Sequence, residues 1–228
     1  MPNLGSKNQI QQSSFSSKDR KAILGGTFDP IHLGHIKLAQ HIAQWLEVKK
    51  LTLLPAHIPP HKKHTFASSI QRRKMVDLVC HHIPLFESDE REIKRSSASY
   101  TVESLQQIKN ENPQQQLFFI IGMDSLINLT TWRQWKNILS LCHLVVSSRP
   151  DYKMSSLNSE IKALISQHQA RTLDHIRYRQ AGSIFINHDK NYSISSTDIR
   201  ASLSQGSSDH NHLPDFISKF IRQEKLYC

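Results

Sequence analysis

Two short stretches of this chain gather residue types suited to phosphate chemistry. The first is Gly25-Gly26-Thr27-Phe28-Asp29-Pro30-Ile31-His32-Leu33-Gly34-His35. Adjacent glycines at a strand end let a ligand approach the backbone with no Cβ in the way. Pro30 stiffens the turn that follows. His32 and His35 are three residues apart, so on a helical turn their rings share one side. In the first turn of a helix, unpaired N–H groups and the positive end of the dipole would favour the same anion. The second stretch is Ile194-Ser195-Ser196-Thr197-Asp198-Ile199-Arg200. Its hydroxyls can cap a helix and donate to phosphate. Arg200, one turn further in, can give two hydrogen bonds to a phosphoryl group. Taken singly, these are a tight turn, two ordinary histidines and a helix start. Together, about 160 residues apart, they suit a polyphosphate held between two halves of one fold. Neither the G-x-x-x-x-G-K-[ST] loop nor the G-x-G-x-x-G dinucleotide pattern is present.

The elements that must position these residues alternate. Ala22–Leu24 is an apolar run ending in the glycine pair, and His32–Val48 has helical spacing. Leu51–Leu54 reads as a strand, and Pro59-Pro60 makes residues 57–64 a loop. Ile70–Cys80 and Thr101–Asn110 read as helices. Leu117–Ile121 is a run that suits a strand covered on both faces. The pattern predicts a short helix over Trp132–Leu139, a strand over His143–Val146 and a helix over Ser159–His168. It closes with a strand over Ser183–Ile186 and helices over Thr197–Leu203 and Phe216–Glu224. Strands alternating with helices predict an α/β fold, a Rossmann-like doubly wound parallel sheet with its ligand crevice at the carboxyl ends of the strands. No linker divides the chain, so residues 21–228 form a single domain. Residues 1–20, rich in Ser, Gln, Asn and Lys, read as a mobile tail. They are too poor in arginine for a transit peptide.

Composition narrows the setting. The 228 residues carry 29 basic and 19 acidic side chains, a formal charge of +10. That excess favours nucleic acid, anionic lipid or phosphorylated small molecules as partners. No apolar run approaches the roughly 20 residues of a membrane helix. Three separated cysteines with no C-x-x-C point to a reducing compartment, and the cytoplasm is the expected location. His57, His61 and His64 do not read as a zinc site, because Pro59-Pro60 denies them a helix.

The two stretches match the His-x-Gly-His and Ile-Ser-Ser-Thr-x-x-Arg signatures, and the chain is identified as a member of the nucleotidyltransferase superfamily. Its middle resembles the bacterial nicotinate-nucleotide adenylyltransferases, at Leu54-Pro55-Ala56-His57-Ile58-Pro59-Pro60-His61-Lys62, Glu90-Arg91-Glu92-Ile93 and Ser99-Tyr100-Thr101. Phe119-Ile120-Ile121-Gly122-Met123-Asp124-Ser125, Thr131-Trp132, His143-Leu144-Val145 and Ser148-Arg149-Pro150 extend the likeness over about residues 22–227. Ala56 departs from the pattern, standing where some relatives carry an amide side chain.

The resemblance implies the nucleotidyltransferase fold and adenylyl transfer from ATP to nicotinate mononucleotide, with release of pyrophosphate. The acceptor phosphate is already ionised, so no general base is needed. It implies His32, His35 and Arg200 as the catalytic set. Gly25, Gly26, Thr27, Phe28, Gly122, Asp124, Ser195 and Ser196 would bind ATP. Lys62, Tyr100, Thr101, Trp132 and Arg149 would face the mononucleotide. Trp132 either stacks on the pyridine or packs in the core. Mg²⁺ is expected to bridge the phosphates, with no metal ligands from the chain itself. Nicotinamide mononucleotide and phosphopantetheine stay open as acceptors. A nucleic-acid-binding or nucleotide-sensing role is the rival class, but intact signatures at both ends argue against it, and no nucleic acid partner is expected. A homo-oligomer is compatible with the sequence, which carries no signal for or against one.

Overall fold

The computed structural model describes residues 14–60, 64–147, 156–187, 194–206 and 211–228. Lys62 and Arg149, and residues 1–13 of the expected tail, lie outside them. Six strands form one parallel sheet: β1 (Arg20–Gly26), β2 (Leu51–Pro55), β3 (Phe86–Ser88), β4 (Gln116–Gly122), β5 (His143–Ser147) and β6 (Ile184–Asn187). Their order is β3-β2-β1-β4-β5-β6. Among the described residues eight α-helices connect and follow them: α1 (Leu33–Trp45), α2 (Ser69–His82), α3 (Thr101–Glu111), α4 (Met123–Ile127), α5 (Ile138–Leu141), α6 (Ser159–His168), α7 (Ser196–Ser204) and α8 (Asp215–Gln223).

Successive side chains on a strand point to opposite faces, and the strands fill two cores accordingly. Ala22 and Leu24 of β1 join Phe118 and Ile120 of β4 in one core, against α1, α2 and α8. Ile23 joins Leu117, Phe119 and Ile121 in the other, against α3, α5 and α6. Both faces of the central strands are therefore dry, which is why these strands read as unbroken apolar runs.

The strand order reverses between β1 and β4, the switch point at which such sheets open a crevice. Leu24 pairs with Ile120, so the register brings Gly26 and Gly122 level across that opening. Opposite it, at the start of β5, His143 is fully buried. Its Nδ1 accepts from the Ser183 N–H (3.2 Å) and its Nε2 lies 3.2 Å from the Arg179 carbonyl. Burial holds this imidazole neutral and pushes its pKa down to about 4.

Four local expectations differ from the structure. Trp132–Leu139 is not one helix: a 3-10 turn over Trp135–Asn137 runs into α5, and Gln134 before it is left-handed (φ 49°). Strand β3 and helix α4 carry no counterpart in the expected pattern. The boundary at residue 20 falls inside ordered chain, since Arg20 opens β1, Ser17–Asp19 form a 3-10 turn, and the Phe15 N–H donates to the Arg177 carbonyl at 2.9 Å.

Candidate active site

His32 occupies the N-cap of α1. Its Nδ1 accepts from the His35 N–H (3.3 Å), and His35 Nδ1 accepts from the His32 N–H (3.4 Å). The two imidazoles thus form a reciprocal capping box, the arrangement usually built from Ser and Glu. Their rings stack with centroids 3.7 Å apart. Since each Nδ1 is an acceptor, a neutral ring carries its proton on Nε2. Gly34 makes the stacking possible: a Cβ there would lie 2.9 Å from His32 Nδ1. The expected row of open amides is only partly present. Of the first three N–H groups of α1, Leu33 donates to the His212 carbonyl and His35 to His32.

Phe28 takes a left-handed backbone (φ 52°), uncommon for a bulky residue. This turns its ring inward, edge-on to His35 at 5.3 Å. Gly26 leaves room for that ring, which a Cβ would meet at 2.9 Å. Phe28 therefore backs the imidazole pair from a buried position. Asp29 is buried too, accepting from the N–H groups of Phe66 (2.8 Å) and Ala67 (3.1 Å) and from the Tyr227 hydroxyl (2.7 Å). Burial and the neighbouring carboxylate push the Tyr227 hydroxyl far above its ordinary pKa, so it stays a donor.

The C-terminal stretch closes on this loop. Arg200 Nη1 donates to the Asp29 carbonyl (2.7 Å), and the Ser196 hydroxyl donates to the Pro30 carbonyl (3.1 Å). Ser196 therefore pins the loop with the hydrogen that was expected to meet phosphate. Ser195 caps α7, its Oγ accepting from the Thr197 N–H at 3.1 Å, which leaves its own hydrogen to donate elsewhere. Arg200 also touches Thr197 Oγ1 (3.2 Å) and lies 4.5 Å from the centre of the Phe66 ring. Its Nε is buried with no partner among the described residues. A buried donor of this kind is costly unless something accepts from it.

Across the switch point, Gly122 ends β4 and Asp124 lies in the first turn of α4. A Cβ on Gly122 would run into the Asp124 carboxylate. Further along, Tyr100 is the N-cap of α3 and Thr101 its first residue. The opening N–H groups of a helix have no partner within it. Trp132 follows the 3-10 turn Leu129–Thr131 in extended backbone, half-buried against the second core. Arg133 beside it lies 4.7 Å from the centre of the Tyr100 ring and 3.4 Å from Glu103.

One residue of the site's framework is missing from the sequence reading. Arg72 of α2 is fully buried and bonds four backbone carbonyls, those of Thr27, Ala56, His57 and Ala67. Burial lowers its pKa, and the Asp29 carboxylate opposes that shift. A signal was available, because Arg72 shares a helical face with Met75, Val76 and Val79, all buried. Of the expected site residues, the structure thus gathers Gly25, Gly26, Thr27, Phe28, His32, His35, Ser195, Ser196 and Arg200 around one loop. Gly122, Asp124, Tyr100, Thr101 and Trp132 stand across the carboxyl ends of the sheet from them.

Fold and site together define a nucleotidyltransferase. The chain belongs to the cytidylyltransferase-like family, whose profile matches residues 23–202, and within it to the nicotinate-nucleotide adenylyltransferases. It is 45% identical over 210 residues to a protein of Shewanella woodyi named "Probable nicotinate-nucleotide adenylyltransferase", covering 91% of this chain and 99% of that one. A protein of the same name from Psychromonas ingrahamii is 41% identical, over 90% of this chain and 95% of its own. The fold matches that of Plasmodium falciparum nicotinic acid mononucleotide adenylyltransferase complexed with NaAD, with TM-score 0.70 and 15% identity, over 91% of this chain and 97% of that one.

Nucleotidyl transfer generally uses a divalent metal. Among the described residues no three His, Cys, Asp or Glu side chains gather to hold an ion. The crevice offers imidazoles, hydroxyls and a guanidinium, hydrogen-bond donors suited to phosphate oxygens. No helix among the described residues is long and apolar enough to cross a membrane.

Proposed function

We propose that this chain transfers the adenylyl group of ATP to nicotinate mononucleotide, giving nicotinate adenine dinucleotide and pyrophosphate. A phosphate oxygen of the mononucleotide attacks the α-phosphorus of ATP. The bond from that phosphorus to the β-bridging oxygen breaks, and pyrophosphate leaves with the electron pair. The nucleophile is ionised at neutral pH, so the protein's task is in-line positioning and stabilisation of charge. His35 and His32 donate from Nε2 toward the α-phosphate and a neighbouring oxygen. Arg200 and Ser195 hold the β- and γ-phosphates, while Ser196 fixes the loop beneath them. Gly25, Gly26 and Gly122 keep the floor of the crevice clear for the nucleotide, and the Asp124 carboxylate accepts from ribose hydroxyls. Mg²⁺ accompanying the triphosphate would supply charge neutralisation there. Trp132 stacks on the pyridine, Tyr100 borders it, and the opening N–H groups of α3 at Thr101 meet its carboxylate. Lys62 and Arg149 supply further positive charge for the mononucleotide. The reaction belongs in the cytoplasm, in keeping with three unpaired cysteines.

The observation that carries this reading is the 2.7 Å hydrogen bond from Arg200 to the Asp29 carbonyl, which joins the two stretches through residues 171 positions apart. The test is pyrophosphate release from ATP and Mg²⁺ with a panel of acceptors. Turnover fastest with nicotinate mononucleotide is the expected result. Faster turnover with nicotinamide mononucleotide or phosphopantetheine would reassign the acceptor, and no release with any of them would overturn the reading.

A further inference from the structure

We propose that Arg72 is a positioning residue that locks the loop after β2, on the acceptor side, in register with the loop after β1, on the phosphate side. The inference rests on the adenylyl-transfer reading and deepens it. The Arg72 guanidinium reaches Thr27 of the phosphate loop (2.7 Å) and both Ala56 (2.5 Å) and His57 (2.8 Å) of the acceptor loop. Its Nε donates to Ala67 (3.3 Å), just ahead of α2. Ala67 also gives its own N–H to Asp29 (3.1 Å), so Arg72 and the Asp29 carboxylate grip one segment from two sides. The acceptor loop is tied on its far side as well. The His57 N–H donates to Ser99 Oγ (2.8 Å) and the Ser99 N–H to the Ile58 carbonyl (3.0 Å), next to Tyr100 and Thr101.

Position 56 therefore acts through its carbonyl, and the alanine there costs the site nothing that Arg72 uses. The guanidinium touches no reacting group. Its effect reaches the chemistry through the separation of two loops that must deliver their ligands in line, where an error near 1 Å costs about a hundredfold in rate. The guanidinium spreads its donors over three nitrogens of a planar fork and so serves four carbonyls from three segments. A lysine ammonium keeps the charge but has a single nitrogen.

The test compares full-length wild type, R72K and R72Q in steady-state turnover with ATP, Mg²⁺ and nicotinate mononucleotide. The kcat is normalised to the folded fraction, and the affinity for each substrate alone is measured by calorimetry. For R72Q a fall in kcat of about thirtyfold is expected, with R72K intermediate and both separate affinities within about threefold of wild type. A kcat per folded molecule within about fivefold of wild type in R72Q overturns the proposal. So does a loss of separate affinity as large as the loss of kcat, and so does failure of both variants to fold, which would make Arg72 a folding residue. Wild type that is inactive with these substrates strikes the adenylyl-transfer reading instead, so the two failures are distinguishable.

Discussion

The two sides of the crevice are built by different means. On the proposed phosphate side Asp29, Pro30 and His32 are buried, and the loop is held by bonds that span 166, 171 and 198 residues of chain. On the proposed acceptor side Tyr100 and Trp132 are half-buried and Thr131 and Arg133 exposed. The turn that carries Trp132 is held by nearby bonds, such as Thr131 Oγ1 to the Asn128 carbonyl at 2.7 Å. Charge develops at the phosphorus, so groups there must already be in place when it does. A planar ring needs only a face to lie on. The contrast implies that changes on one side act on kcat and changes on the other act on KM.

His35→Ala should produce the largest effect, lowering kcat by about a hundredfold to a thousandfold with KM values nearly unchanged. A rise in the mononucleotide KM as large as the fall in kcat would break the division. Gly34→Ala comes next. Its Cβ would crowd His32 Nδ1 (2.9 Å) and Ile194 Cβ (3.2 Å), and we expect kcat to drop about tenfold or more while the melting temperature moves only a few degrees. Trp132→Ala should raise the mononucleotide KM about tenfold and leave kcat within about twofold. Unchanged mononucleotide affinity would return this ring to the core. Arg133→Ala, which frees the Tyr100 ring, should raise the same KM about twofold to threefold. A larger change in ATP affinity than in mononucleotide affinity would blur the boundary between the two sides.

Much of this was legible in the sequence. The strands β1, β4 and β5 declare themselves because burial on both faces leaves no polar interruption. The imidazole pair and Arg200 stand in stretches whose residue types are unusual together. The misses have physical causes. β3 has three residues, only one of them fully buried, so an edge strand leaves almost no apolar pattern. α4 begins directly after Gly122 and is five residues long, too short to display a helical period. Trp132–Leu139 carries apolar spacing, but Gln134 in a left-handed conformation breaks the helix. The hydrogen of Ser196 and the ties of Arg72 and Tyr227 are contacts with distant backbone or side chains, which periodicity cannot encode. Arg72 alone left a trace, a charged residue on the apolar face of α2.

The burial of His143, at the other end of the sheet, ties the stability of the fold to acid pH. In the unfolded chain its imidazole takes up a proton near pH 6.5, whereas in the native state it resists until about pH 4. The unfolded state therefore binds more protons across that window. The benefit of the buried ring is complete above about pH 6.5 and drains away on acidification toward pH 4. Between pH 7.5 and 5 this one side chain should remove about 2 kcal/mol of unfolding free energy. Urea midpoints that shift equally over that range in wild type and in His143→Gln would show that the ring takes no part in it.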